Sequence, residues 1–173
     1  MTSMDRFLEG CRAAAGAAQP ALATRALLRS AVTDPALWAR GADFSQADER
    51  GVARLFADPT VTVLHVDLAP GFESRIHSHG LWAAIGVYAG EEHNRLFRRQ
   101  GDGVVETGAR SVTVGGVMVL GADAIHAIRN PLDQPLRALH VYGGDLESSW
   151  RHRWDTPAGP AAPEGGAIRG RRG

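Results

Sequence analysis

The sequence has no lysine: all 19 basic residues of this 173-residue chain are arginine. The absence of lysine excludes Schiff-base chemistry, pyridoxal enzymes and the phosphate-binding lysine of P-loop proteins. The arginines are balanced by 19 acidic residues, so the overall charge provides no attraction to nucleic acid or to an anionic membrane. We therefore expect neither a nucleic-acid partner nor a membrane partner.

Cysteine and long apolar runs are also scarce. The single cysteine, Cys11, excludes an internal disulfide and a cysteine-rich zinc site. No apolar run approaches the roughly 20 residues that span a bilayer, and the first residues lack the basic start and apolar run of a signal peptide. These features predict a reduced, cytoplasmic protein.

The first third of the chain has a helical pattern. Residues 1–57 are rich in Ala, Leu and Arg, with apolar positions at helical spacing. Pro20 and Pro35 stand where proline is tolerated, at the first turn of a helix, so helices are predicted over 21–32 and 36–40. We expect this helical region to pack on the remainder of the chain.

Residues 58–155 have the pattern of an all-β barrel or sandwich. Short runs of β-branched and apolar residues alternate there with turns containing Gly, Asp and Asn. The predicted strands include Val61–Leu68, Ala83–Tyr88, Ser111–Val114, Val117–Leu120 and Leu136–Tyr142. Residues 156–173 are mostly Pro, Gly and Ala with a few charges, a composition that predicts a flexible C-terminal tail.

Three histidines are the strongest candidates for chemistry. His77 and His79 are two residues apart in a segment that reads as a strand, so their side chains project from one face. His126 lies in another short apolar strand, which a barrel can bring opposite the pair. A His-x-His pair alone also occurs as two polar residues on a solvated face.

The spacing around these histidines resembles the two motifs of the cupin superfamily. The first motif would run from Gly71 through His77 and His79 to Gly90, and the second from Gly115 through His126 to Asn130. The resemblance implies a mainly β fold: a double-stranded β-helix, or jelly-roll, barrel that usually holds one metal.

The sequence departs from the common cupin pattern at one ligand position. Cupins generally place a Glu four or five residues after the second histidine, where this chain has Ala83 and Ala84. The expected metal ligands are therefore His77, His79 and His126, with no carboxylate. Imidazole ligands suit Fe, Zn, Cu and Ni. Three neutral ligands leave open positions and an uncompensated double positive charge, which favours an anionic, chelating substrate.

Within the cupins, the sequence resembles the thiol dioxygenase branch, which comprises cysteine dioxygenase and 3-mercaptopropionate dioxygenase. The similarity covers about residues 54–155, including Ile76–Trp82 around the first motif and Leu139–Leu146 after the second. It implies Fe(II) as the cofactor and oxidation of a small thiol by dioxygen to a sulfinic acid. Ser78 replaces an Asp often found between the paired histidines. Ala84 stands where animal cysteine dioxygenases carry a cross-linked Cys, so that thioether cannot form.

The resemblance also implies a catalytic pair. His140 and Tyr142 alternate onto one face of the last predicted barrel strand, where the family uses a Ser-His-Tyr relay beside the iron. The phenol would hydrogen-bond dioxygen or substrate, and the imidazole would orient it. Ala138 occupies the Ser position, so the relay is expected to be truncated. The alternative is a buried Tyr and His that satisfy one another in the core.

Two arginines match substrate-binding positions of the branch. Arg54 matches the arginine that binds the substrate carboxylate in cysteine dioxygenases, and Arg151 the one assigned that role in the mercaptopropionate enzymes. A guanidinium presents two parallel donors to two carboxylate oxygens. The alternative for each is a surface ion pair.

Two other functions remain open from the sequence. One is a three-histidine cupin enzyme that acts on a non-thiol metabolite, and the other is a non-catalytic small-molecule-binding cupin. The thiol hypothesis names a small thiol carboxylate and dioxygen as partners and leaves the oligomeric state open.

Overall fold

Two short helices open the chain. The computed structural model describes residues 2–35, 37 and 46–165, and within them α1 spans Ser3–Ala15 and α2 spans Pro20–Val32. The Thr2 side chain accepts a hydrogen bond from the Asp5 backbone N–H, and the Asp5 carboxylate accepts one from the Thr2 N–H. This reciprocal cap satisfies donors that a helix start leaves unpaired. The predicted helix over 21–32 is confirmed as α2, whereas the one over 36–40 lies outside the described residues except for Leu37.

Eleven strands follow in the described residues, and they form two antiparallel sheets. The first sheet has five strands in the order β1-β2-β9-β4-β7, and the second has six in the order β11-β10-β3-β8-β5-β6. The bounds are β1 Val52–Ala57, β2 Thr62–Leu68, β3 Ile76–Ser78, β4 Ala83–Ala89, β5 Glu91–Gln100, β6 Gly103–Thr113, β7 Val117–Leu120, β8 Ile125–Arg129, β9 Leu136–Tyr142, β10 Trp150–Trp154 and β11 Ala162–Gly165. The two sheets form the expected double-stranded β-helix barrel.

The barrel begins earlier than the sequence predicted. Helical character was expected to residue 57, but Val52–Ala57 is strand β1, and Val52 pairs with Val66 of β2. Val52 packs into the barrel interior, whereas Leu55 and Phe56 pack against the helices. A strand exposes both of its faces to partners, so this two-sided burial outweighs the helix-favouring Ala and Arg of the segment.

The start of the predicted flexible tail is ordered. Residues 162–165 form β11, which pairs with β10, and the Val104 N–H donates a hydrogen bond of 2.8 Å to the Pro157 carbonyl. The free edge of β10 offers backbone partners, which compensate for the low apolar content of the segment. The tail prediction was wrong for these residues, while 166–173 lie outside the described part of the chain.

Three apolar clusters hold the layers together. One fills the barrel between the sheets, a second joins the helices to the outer face of the five-stranded sheet, and a third covers the six-stranded sheet around the fully buried Trp154. The second contact is close at Gly86, where an added Cβ would lie 2.8 Å from Val32 Cγ1. Among the described residues, no helix is long and apolar enough to cross a membrane.

Candidate metal centre

The three predicted histidines converge inside the barrel. His77 lies on β3 directly opposite His126 on β8, and His79 follows one residue after the end of β3. Their candidate ligand nitrogens all lie within 4.8 Å of one another, and His79 Nε2 is 3.3 Å from His126 Nε2. The strand pairing thus brings together side chains that are 47 residues apart in the sequence.

Burial keeps two of these imidazoles neutral. His126 is fully buried and His79 is 4% exposed. Burial lowers the pKa of both well below the usual range, and the neighbouring histidines lower it further. A metal binds the neutral imidazole, so protons compete little with a metal at these two nitrogens near neutral pH.

Hydrogen bonds at the opposite ring nitrogens orient two of the three rings. His77 Nδ1 lies 2.8 Å from the Arg75 carbonyl oxygen, and His126 Nδ1 lies 2.8 Å from Asn94 Oδ1. Each Nδ1–H donates to its carbonyl oxygen, which leaves Nε2 with its lone pair directed into the cluster. Such contacts are typical around histidines that bind metals.

No carboxylate joins this cluster within the described part of the chain. Ala83 and Ala84 are both fully buried, one in the barrel interior and the other beneath the helices. Three convergent neutral imidazoles fit a divalent first-row metal that keeps open coordination positions.

A chain of buried hydrogen bonds links the cluster to the predicted catalytic pair. His126 contacts Asn94, whose Nδ2 donates to Glu92 Oε1 over 3.0 Å. Glu92 Oε2 lies 2.7 Å from His140 Nε2, and His140 Nδ1 lies 3.2 Å from the Tyr142 hydroxyl. All five side chains are buried, at most 4% exposed. Each polar group is therefore held by its neighbours rather than by solvent.

Glu92 supplies the hydrogen-bond partner for His140 that the expected truncation of the relay left out. Ala138 indeed supplies no hydroxyl, but the Glu92 carboxylate of β5 accepts the hydrogen bond from His140 Nε2 instead. Little in the sequence marked Glu92, since Glu91–Arg95 is a run of polar residues and only the two-residue spacing to Asn94 places both side chains on one face. A buried acid in such a strand requires a polar partner.

Tyr142 lies beside the histidine cluster in the wall of a cavity. Its ring centroid is 4.8 Å from that of His79, and it lines a cavity of about 540 Å³ together with His77, His79 and His140. Burial raises the pKa of Tyr142, and the Glu92 charge raises it further. The phenol therefore keeps its proton at neutral pH and donates it in a hydrogen bond to His140 Nδ1, because the His140 proton is on Nε2 facing Glu92.

The two predicted substrate arginines are in different environments. Arg151 lines the cavity, whereas Arg54 does not and instead forms an ion pair with Glu147 in which both side chains are more than half exposed. The structure thus brings Arg151, but not Arg54, to the histidines. Arg153 of β10 also lines the cavity, and it lies directly opposite His77 of β3. In the sequence, Arg153 is distinguished only by its position two residues after Arg151.

The chain was compared with family models and with solved structures. No family model matches the chain. Among solved structures, the chain is similar to the cupin domain of Cnp3 from Schizosaccharomyces pombe, with 14% identity over 61% of this chain and 69% of that chain, at a TM-score of 0.49.

Two further solved structures have comparable scores. The DMSP lyase DddQ from Ruegeria pomeroyi shares 24% identity over 69% of this chain and 57% of that chain, at a TM-score of 0.49. A Cupin 2 conserved barrel domain protein from Salinispora arenicola shares 20% identity over 60% and 86% of the two chains, at 0.47. At these identities the likeness concerns the fold alone.

Proposed function

We propose that this protein is a non-heme iron(II) dioxygenase that oxidises a small thiol carboxylate to its sulfinic acid. The proposal is carried mainly by one arrangement: a carboxylate-free group of three histidines beside a buried phenol, facing a cavity that contains Arg151. The sequence resemblance to thiol dioxygenases supports the same assignment.

The ligand set suits a thiolate substrate. Three neutral imidazoles leave the double positive charge of the metal uncompensated, and a thiolate supplies negative charge and a soft donor together. Iron(II), when bound, would hold the substrate sulfur and activate dioxygen at neighbouring positions. In the overall reaction, one thiol and one dioxygen give one sulfinic acid. Two S–O bonds form, the O–O bond breaks, and sulfur supplies all the electrons, so no further reductant is needed.

Tyr142 is assigned to orient the reactants. Its protonated hydroxyl donates to His140 Nδ1 over 3.2 Å, and a reactant bound in the cavity would compete with Nδ1 for that hydrogen bond. The Glu92 carboxylate favours a proton on His140 Nε2, which fixes the ring in turn. Positioned donors of this kind typically contribute on the order of 10²–10⁴-fold in rate.

Arg151 is assigned to bind the substrate carboxylate. It lines the cavity, and its charge acts on both His79 and Tyr142. Arg54 is engaged with Glu147 outside the cavity lining. A mercapto acid without an amine needs only its thiolate as a metal ligand and its carboxylate at Arg151. We therefore favour substrates of the 3-mercaptopropionate type over cysteine.

Oxygen uptake tests the proposal. Protein loaded anaerobically with one equivalent of iron(II) is given 3-mercaptopropionate, cysteine, cysteamine or no thiol, and dioxygen loss and sulfinate are measured. We expect one sulfinate per dioxygen with the mercapto acid, and no uptake without thiol. His126→Ala, which removes a ligand, should be inactive, whereas His93→Ala, outside the cluster, should remain active. Iron-loaded protein that consumes no dioxygen with any thiol would refute the function.

A further inference from the structure

Six charged residues other than histidine line the cavity, and three of them are already in ion pairs. Arg50 lies 2.7 Å from Asp48, Arg75 lies 3.3 Å from Asp155, and Glu73 lies 3.5 Å from Arg95. Glu49 is an exposed residue of the lining. The two cations left, Arg151 and Arg153, are both on β10.

Neither guanidinium forms a hydrogen bond or an ion pair with a side chain of residues 2–35, 37 or 46–163, the side chains that the structure describes. In both, Nε is buried without a hydrogen-bond partner. A buried donor of a charged group that lacks a partner is costly in free energy. Two such donors next to one another at the same cavity indicate that a ligand supplies the missing acceptors.

The backbone places both guanidinium groups on the side of the histidines. Arg153 pairs directly with His77 across β3 and β10. Arg151 is two residues away, so both project from the same face, about 6.6–6.8 Å apart along the strand. The separation of one strand repeat matches two distinct anionic groups, since each planar guanidinium binds one carboxylate through two parallel bonds.

We infer that the substrate carries two carboxylates, so that Arg151 binds one and Arg153 the other. This inference rests on the proposed function only for the thiol group of the substrate. The preference for two carboxylates is argued from the arginines of β10 and from the cavity. A monocarboxylate would satisfy one guanidinium and leave the other uncompensated beside a divalent metal. The substrate class is therefore a small mercapto dicarboxylate, of the kind represented by mercaptosuccinate.

Equilibrium binding tests the inference without turnover. The anaerobic, metal-loaded protein is titrated calorimetrically with mercaptosuccinate, 3-mercaptopropionate, succinate, propionate and a propyl phosphonate. We expect each dicarboxylate to bind roughly ten- to a hundredfold more tightly than its monocarboxylate counterpart, the range of one additional charged hydrogen-bonded contact. In Arg153→Gln that ratio should fall toward one. The matched control is Arg98→Gln, an exposed arginine of β5 outside the cavity lining, which should keep the wild-type ratio.

Each outcome separates this inference from the proposed function. Equal affinity for mono- and dicarboxylates in the wild-type protein would overturn the inference, whether or not a thiol is oxidised. A dicarboxylate preference that depends on Arg153, in a protein that oxidises no thiol, would support the inference and refute the proposed function. Tightest binding of the phosphonate would show that both arginines hold one doubly charged group, which also contradicts the inference. If Arg153→Gln loses its metal or does not fold, Arg153→Lys replaces it as the variant. The ratio of dicarboxylate to monocarboxylate affinity in the wild-type protein then still tests the inference.

Discussion

His140 Nε2 and Glu92 Oε2 are 2.7 Å apart, and both side chains are almost completely excluded from solvent. The same carboxylate accepts a hydrogen bond from Asn94, which in turn contacts His126. One buried acid thus connects a histidine of the proposed metal centre to the histidine that orients Tyr142. Buried carboxylates persist only when such partners satisfy them.

Replacing Glu92 by Gln should weaken both ends of this chain. An amide offers one acceptor where the carboxylate offers two, so either Asn94 or His140 must face an NH₂ group. We expect a loss of about 1–3 kcal/mol in stability and a roughly ten- to a hundredfold loss in iron affinity or turnover. Urea unfolding and iron titration measure these quantities. Glu91→Gln, the preceding residue outside the network, is the control; identical behaviour of the two variants would exclude this role for Glu92.

Tyr142→Phe separates a catalytic role from a core role. The change keeps the ring and removes the hydroxyl, so folding and iron content should survive while turnover per bound iron falls by at least roughly a hundredfold. If Tyr142 served only the core, the variant would instead lose about 1–3 kcal/mol from an unsatisfied partner and keep wild-type turnover per iron. Melting temperature measured alongside turnover distinguishes the two results.

The two predicted arginines should behave differently when removed. Arg54→Ala breaks an exposed ion pair, a kind of contact worth at most about 1 kcal/mol, so kcat/KM for a mercapto acid should be nearly unchanged. Arg151→Ala should lower kcat/KM for the acid by roughly ten- to a hundredfold, while oxidation of cysteamine, which has no carboxylate, should be nearly indifferent to it. Steady-state kinetics with both thiols tests this contrast, and a larger effect at Arg54 would reverse the assignment.

Acid should destabilise the metal-free protein through His65, among other histidines. Burial lowers the pKa of His65 to about 4 from 6.5, with Asp67 opposing the shift and Arg137 adding to it. Between these values the unfolded chain binds a proton that the folded protein does not. The contribution of His65 is therefore complete above pH 6.5 and is lost as the pH falls toward 4.

His65→Gln should reduce this dependence. Its slope of unfolding free energy against pH should be smaller than that of the wild type by up to about 1.4 kcal/mol per pH unit. Urea unfolding of metal-free protein at several pH values between 7.5 and 5 gives both slopes, and His79 and His126 contribute equally to each. Equal slopes would show that His65 does not titrate as the burial implies.

The sequence predicted the histidine cluster because the relevant information is local. Two-residue alternation places His77 and His79 on one side of a strand, and the turn pattern around His126 marks a second strand. The pairing partner of each strand is a tertiary property. Neither the hydrogen bond from His140 to Glu92 nor the position of Arg153 opposite His77 could therefore be derived from spacing.

Composition misled the prediction where tertiary packing decided the conformation. Val52–Ala57 lies in an Ala- and Arg-rich region but gains partners on both faces as β1. Residues 162–165 have too little apolar surface to order alone, yet β10 offers them a free edge. Arg54 matched a motif position, but among 19 arginines only the fold distinguishes a cavity residue from one in a surface pair.

The origin of the product oxygens tests the central claim most directly. Iron-loaded protein is given a mercapto acid under a mixture of unlabelled dioxygen and dioxygen carrying heavy oxygen at both atoms, and the sulfinate is analysed by mass spectrometry. The account predicts sulfinate with both oxygens heavy or neither, because both atoms come from one dioxygen molecule, and it predicts no product from His126→Ala. Sulfinate with one oxygen from water, or the same yield from His126→Ala, would contradict it.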